Sequence, residues 1–166
     1  MKIRVLKSPD ARFTPIVRRA VTFYGQSLMT KRMLDAISIT VRFDDSLMDY
    51  GGAMVTGTND AGIPRKFTIE LHPGLGAPVI LETLAHEMVH VRQYAKGHLS
   101  DGLERWKGEP SDLEGTDYYA RPWEREAMAL EEGLMIKFKL AEKLWEIFTG
   151  FKAPEQPIQA EPLGWR

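Results

Sequence analysis

The chain of 166 residues contains no cysteine, which excludes disulfide bonds and any metal site built from thiolates. Any metal ion would therefore have to be bound by histidine, aspartate or glutamate. Long apolar runs are also lacking. The longest stretches without Asp, Glu, Lys or Arg, 20–30 and 71–81, are far shorter than the roughly 20 apolar residues of a membrane-spanning helix. Charges interrupt the first ten residues every few positions, so we expect no signal peptide, no membrane partner and a cytoplasmic location.

Neither sign of charge is in large excess. The 22 lysines and arginines nearly balance the 23 aspartates and glutamates, so the composition does not require a nucleic-acid or membrane partner. Basic residues are concentrated in the first 35 positions, among them Arg12, Arg18, Arg19, Lys31 and Arg32. These side chains could contact nucleic acid or an acidic partner. A solvated helix face explains them as well, and we favour that interpretation.

The apolar periodicity predicts an α+β fold with one domain over residues 1–150 and a proline-rich tail over 151–166. The expected order is an edge strand or extended arm (1–7), a helix (13–34), strands at 37–43, 53–56 and 65–71, a helix (79–95), a long connection (98–120) and a last helix (122–150). Turn-forming residues at 57–64 predict a hairpin between the second and third of these strands. We expect the small sheet to be mostly antiparallel.

The helix at 79–95 carries the sequence His86-Glu87-Met88-Val89-His90. Two histidines four positions apart project from one helix face, so both can bind a single zinc ion. The glutamate between them lies close enough to accept a proton from an attacking water. The same face carries Val79, Thr83 and Gln93 but no lysine or arginine. We therefore interpret it as the floor of a cleft rather than as the solvated side of an ordinary amphipathic helix.

A catalytic zinc ion usually has a third protein ligand, and the residues leave three candidates for it. His98 follows His90 by eight positions, just past the predicted helix end. Glu124 and Glu126 lie in the first turns of the last helix, where a rigid element would hold a carboxylate in place. Helical angles do not separate the two glutamates, because they flank the apolar stripe almost symmetrically.

The HEMVH helix, the later Trp106-Lys107-Gly108 and the segment YYARPWEREA at 118–127 resemble the zincin metallopeptidases. The resemblance covers roughly residues 37–140 and is strongest to small SprT-like or phage-encoded metallopeptidases. It implies a zincin-like fold and a glutamate ligand at the start of a helix, which corresponds to Glu124 with Glu126 as its neighbour.

The sequence departs from the family pattern in two respects. Met128 occupies the position where many such enzymes carry Asp or Asn, and the cysteine zinc ribbon often found in SprT-like proteases is absent. The resemblance therefore does not imply that this protein cleaves DNA–protein crosslinks, as SprT-like proteases do.

Together these features predict a zinc metallopeptidase that acts on a peptide or protein substrate. One Zn²⁺ would be bound by His86, His90 and Glu124, and Glu87 would be the general base. A zinc amidase acting on cell-wall peptide would use the same site. A non-catalytic binding protein with a zincin fold is the remaining alternative, although such a scaffold has no need of Glu87.

Two further expectations concern substrate binding. The strand at 65–71 would form the edge of the cleft and pair with an extended peptide, or else be an ordinary strand of the sheet. Tyr118 or Tyr119 would donate a hydrogen bond to the oxyanion of the reaction, or else serve only in packing.

Overall fold

The computed structural model describes residues 1–144, so the predicted tail 151–166 lies outside the described residues. The elements are β1 (Lys2–Leu6), α1 (Thr14–Leu28), α2 (Lys31–Ala36), β2 (Ser38–Phe43), β3 (Gly51–Thr58), β4 (Pro64–Leu71), α3 (Ala77–Ala95), β5 (Arg105–Trp106), β6 (Glu109–Pro110), a 3₁₀ helix (Tyr118–Ala120) and α4 (Pro122–Glu142). This order confirms the predicted α+β class. None of these helices has both the length and the apolar character needed to cross a bilayer.

The main sheet has the strand order β1-β2-β4-β3 and is mixed rather than mostly antiparallel. The pairs β1–β2 and β2–β4 are parallel, and only β3–β4 is antiparallel. The prediction was wrong because α1 and α2 form a crossover, which returns the chain to the end of the sheet where β1 began. The predicted hairpin is present, but its second strand, β4, inserts beside β2. The strand expected at the edge of the cleft is therefore interior, and β3 is the edge on that side of the described sheet.

The core lies between this sheet and three helices. Alternation places Ile39 and Val41 of β2 and Phe67 and Ile69 of β4 on the covered face, where all four are almost fully buried. Helix α3 packs against β3 and β4, while α1 and α4 pack against α3. The rings of Phe23 and Tyr24 on α1 each lie 5.6 Å from the ring of Phe138 on α4. These contacts hold α4 against α1, while α4 also packs along α3, and the candidate site lies between α3 and α4.

Two of the predicted helices differ in extent from those of the structure. The expected helix at 13–34 is divided into α1 and α2, because Met29 is extended and the Thr30 side chain caps α2 by accepting a hydrogen bond from the Met33 amide. Helix α4 ends at Glu142, with Lys143 in the left-handed conformation, earlier than the predicted end at Gly150. The residues 145–150 of the predicted helix lie outside the described part of the chain.

The connection between α3 and α4 is more ordered than its composition suggests. Strands β5 and β6 form a short hairpin, and the ring of Trp106 lies 6.1 Å from that of Trp123 at the start of α4. Leu99, just after α3, is buried against the core. The connection ends in the 3₁₀ helix, which carries Tyr118 and Tyr119 to the cleft beside α3.

Candidate metal centre

The structure brings His86 and His90 of α3 together with Glu124 of α4. Glu124 Oε2 lies 3.2 Å from His86 Nε2 and 3.4 Å from His90 Nε2. The two Nε2 atoms are 3.0 Å apart. Thus three potential ligand atoms from two helices surround one common point.

These separations fit a metal ion of the size of zinc. Tetrahedral coordination with bonds of about 2.0–2.1 Å places neighbouring ligand atoms about 3.3 Å apart. Two imidazole nitrogens and one carboxylate oxygen also form a donor set that zinc accepts in catalytic sites, where a fourth position stays open. The residues present are therefore suited to hold such an ion.

Hydrogen bonds to the far side of each imidazole orient the rings. His90 Nδ1 lies 2.8 Å from Gln93 Oε1, and His86 Nδ1 lies 2.6 Å from Glu131 Oε2. The Gln93 amide nitrogen is used elsewhere, because it donates to the Trp123 carbonyl and to Glu126. Its oxygen can only accept, so Nδ1 of His90 carries a proton, and in the neutral imidazole that a metal would bind the lone pair of Nε2 points to the shared point.

The other two candidates for the third ligand lie elsewhere. Glu126 accepts a hydrogen bond from Gln93 Nε2 at 2.9 Å and pairs with Arg92 at 2.8 Å. The His98 ring lies edge-on to the ring of Trp106. Neither residue belongs to the group formed by the histidines, and of the three candidates only Glu124 contributes an atom to it.

Glu87 is buried beside this group and borders a cavity on each side of it. The backbone N–H of Ala53 on β3 donates a hydrogen bond to its carboxylate. Burial raises the pKa of Glu87 because it disfavours the charged form, and the neighbouring histidines only partly offset this. A carboxylate whose pKa is raised is suited to accept and return a proton.

The ionisation of the ligand group reflects the mutual proximity of its members. Burial alone would lower the pKa of His86, but hydrogen bonds with Glu124 and Glu131 outweigh burial and raise that pKa to about 10. Burial alone would raise the pKa of Glu124, but hydrogen bonds with both histidines outweigh it and lower that pKa to about 2. A metal ion must therefore displace protons from the imidazoles in order to bind.

Two cavities adjoin the centre, both bordered by Glu87 and Glu124, and together they form what we call the cleft. The larger has a volume of about 260 Å³ and extends along α3 past Thr83 and Val79. The smaller, of about 160 Å³, lies on the other side, towards β3 and the connection after α3. The expectation of a cleft over this face of α3 is thus confirmed, except that Gln93 lies fully buried beneath His90.

Three functional contacts were not predicted from the sequence. Gln93 orients His90, Glu131 orients His86, and the Tyr118 hydroxyl shares a hydrogen bond with Glu124. Glu131 has a recognisable signal, since it follows Glu124 by seven positions and therefore shares its helix face.

Comparison of the chain with models of protein families, with curated proteins and with solved structures finds no match.

Proposed function

We propose that the protein is a zinc-dependent hydrolase that cleaves peptide bonds. The observation that carries this proposal is the group of three ligand atoms, 3.0 to 3.4 Å apart, with the buried carboxylate of Glu87 next to it. A zinc ion held there would polarise the scissile carbonyl and lower the pKa of a water in its open position.

The surrounding residues supply the remaining chemistry. Glu87 would accept a proton from the attacking water and pass it to the leaving nitrogen, a transfer for which its raised pKa is suited. Tyr118 would donate a hydrogen bond to the oxyanion, since its hydroxyl already reaches the Glu124 carboxylate. Of the two tyrosines considered from the sequence, Tyr118 is the one with a contact to the ligand group.

A peptide substrate is supported by the position of β3. The Ala53 N–H points to Glu87 rather than to β4, so the outer edge of β3 faces the candidate site. An extended peptide could add to such an edge through main-chain hydrogen bonds. In this proposal β3 takes the role that the sequence had suggested for the strand at 65–71.

The proposal is tested first by metal analysis and a casein or peptide assay on the purified protein. We expect about one zinc ion per chain and hydrolysis that stops with a chelator and returns with added zinc. Absence of bound zinc would contradict the metal centre. Hydrolysis of cell-wall peptide but not of casein or other peptides would instead favour an amidase.

The variant Glu87→Gln then tests the general base. We expect it to retain zinc while kcat falls by about 10²- to 10⁴-fold, because an amide cannot accept the proton. Glu132→Gln is the matched control, since Glu132 is exposed on α4 and lines neither cavity. Wild-type activity in Glu87→Gln would show that the base is assigned wrongly.

A further inference from the structure

We infer that the larger cavity binds a lysine or arginine side chain of the substrate and that Glu82 pairs with its charge. This inference rests on the proposed peptidase function and adds the substrate class. It is carried by the walls of the cavity, by its charge and by the lack of another partner for Glu82.

The position of Glu82 suits a residue next to the scissile bond. Glu82 lies on α3 one turn before His86, about 6 Å along the helix axis, and both line the cavity. Apolar surface from Val79 and Met128 borders the same space. A long substrate side chain that starts near the metal centre can therefore run along α3 and end at the Glu82 carboxylate.

The cavity carries an excess of negative charge. Among residues 1–144, four carboxylates line it, those of Glu82, Glu87, Glu124 and Glu131, and no lysine or arginine does. A bound divalent cation would offset only two of the four charges. A cationic group is the partner that such a cavity attracts.

Glu82 is the carboxylate of this set without another role. Glu124 belongs to the ligand group, Glu131 orients His86, and Glu87 is bonded to the Ala53 amide. In the part of the chain that the structure describes, no hydrogen bond or ion pair links Glu82 to another residue. Its side chain is half-buried and borders the cavity, so it is available to a ligand.

Lysine and arginine side chains match both the apolar and the acidic parts of the cavity wall. Their aliphatic stems would cover Val79 and Met128, and the charged end would reach Glu82 near the tyrosines of the cavity, whose ring faces attract cations. A leucine or phenylalanine would instead desolvate Glu82 without pairing it, which costs free energy. An acidic side chain would be repelled.

The smaller cavity differs in character. Its walls include Tyr94, Leu99, Leu103 and Trp123, and the carboxylates that the described residues contribute to it are those of Glu87 and Glu124. This side suits an apolar substrate residue. The cleft is thus asymmetric, and basic residues should occur on one constant side of the cleaved bond.

The test is digestion of a mixed peptide library by the zinc-loaded wild-type protein, with cleavage sites read by mass spectrometry. We expect lysine or arginine on one constant side of the cleaved bonds. A peptide pair that differs only in lysine against norleucine then gives a ratio of kcat/KM values. Glu82→Gln should lower this ratio by about tenfold, because a hydrogen bond between charged groups is lost. Glu82→Lys should favour acidic residues, and Glu132→Gln should leave the ratio unchanged.

Failure of this inference is distinguishable from failure of the proposed function. Cleavage without a basic preference, or with a preference that Glu82→Gln does not alter, overturns the pocket assignment and leaves the peptidase proposal standing. Absence of cleavage overturns the peptidase proposal. Fluorescence anisotropy measures the affinity of the same two peptides for zinc-loaded Glu87→Gln, which binds them without cleaving them. The lysine peptide should bind about tenfold more tightly there, and equal binding of the two peptides would overturn the inference.

Discussion

Single residues that do not belong to the ligand group decide how its imidazoles are aimed. Gln93 and Glu131 each hold the Nδ1 side of a histidine, which leaves both Nε2 atoms directed towards Glu124. Such outer contacts restrict ring rotation and favour the tautomer that a metal ion needs. The geometry of the centre therefore depends on buried polar contacts as well as on the HEMVH spacing.

Glu131→Ala should weaken zinc binding by about 10- to 100-fold, because His86 loses the carboxylate that orients it. Competition with a chelator of known zinc affinity measures the change. Glu132→Ala is the matched control, since the neighbouring side chain is exposed and does not contact His86. Equal zinc affinity of the two variants would show that the Glu131 contact does not orient the ring.

Tyr118→Phe should lower kcat by about 10²-fold without loss of zinc, because the variant removes the proposed donor to the oxyanion. Steady-state kinetics and metal analysis separate the two effects. Tyr119→Phe is the control, since Tyr119 is 45% exposed and packs edge-on against Tyr118. Loss of zinc from Tyr118→Phe would instead assign its hydroxyl to positioning Glu124.

At the level of elements, the centre depends on the close approach of β3 to α3. Gly51, the first residue of β3, pairs with Leu71 and borders both cavities. A Cβ atom at this position would lie 2.6 Å from the Glu70 carbonyl oxygen and 2.9 Å from Thr83 Cγ2. Only glycine allows the strand to lie this close to the helix that carries the histidines.

Gly51→Ala should therefore lower the free energy of unfolding by about 1–3 kcal/mol, because the added methyl group overpacks the junction. Urea denaturation measures this difference. The neighbouring Gly52→Ala is the matched control, since a Cβ atom there meets nothing within 4 Å. Equal stability of the two variants would contradict the close approach.

At the scale of the whole molecule, the candidate ligands join two helices that are far apart in the chain. His86 and His90 lie on α3 and Glu124 on α4, with the long connection and the 3₁₀ helix between them. A metal ion bound by all three would link these helices in the folded state, whereas the unfolded chain does not hold the three ligands together. Binding of such an ion would therefore be coupled to folding.

Zinc at about 100 times its Kd should stabilise the fold by about 2.7 kcal/mol relative to the chelator-treated protein. For a chain of this size that raises the Tm by about 5–10 °C. Calorimetry with zinc and with chelator measures the shift. In Glu124→Gln, zinc should raise the Tm much less. An undiminished rise in that variant would show that the metal binds elsewhere.

The local features of this protein follow from short-range patterns. Alternation predicted β2, and turn-forming residues at 57–64 predicted the hairpin of β3 and β4. Gly97 marked the end of α3, where it adopts a positive φ. The spacing of His86 and His90 requires only a helix to place both rings on one face. These features were predictable because they depend on neighbours a few positions away in the chain.

Other features depended on contacts between distant segments. Strand order and direction follow from the crossover through α1 and α2 and from the insertion of β4, which periodicity does not encode. Whether Glu124 or Glu126 lies beside the two histidines depends on the rotation of α4 about its axis relative to α3. Packing between the helices determines that rotation. Glu131 contacts His86 only once α4 packs on α3, because a hydrogen bond between distant residues requires the fold to bring them within reach. Gln93 lies three positions after His90 on the same helix, but the contacts that fix its amide, with the Trp123 carbonyl and Glu126, also come from α4.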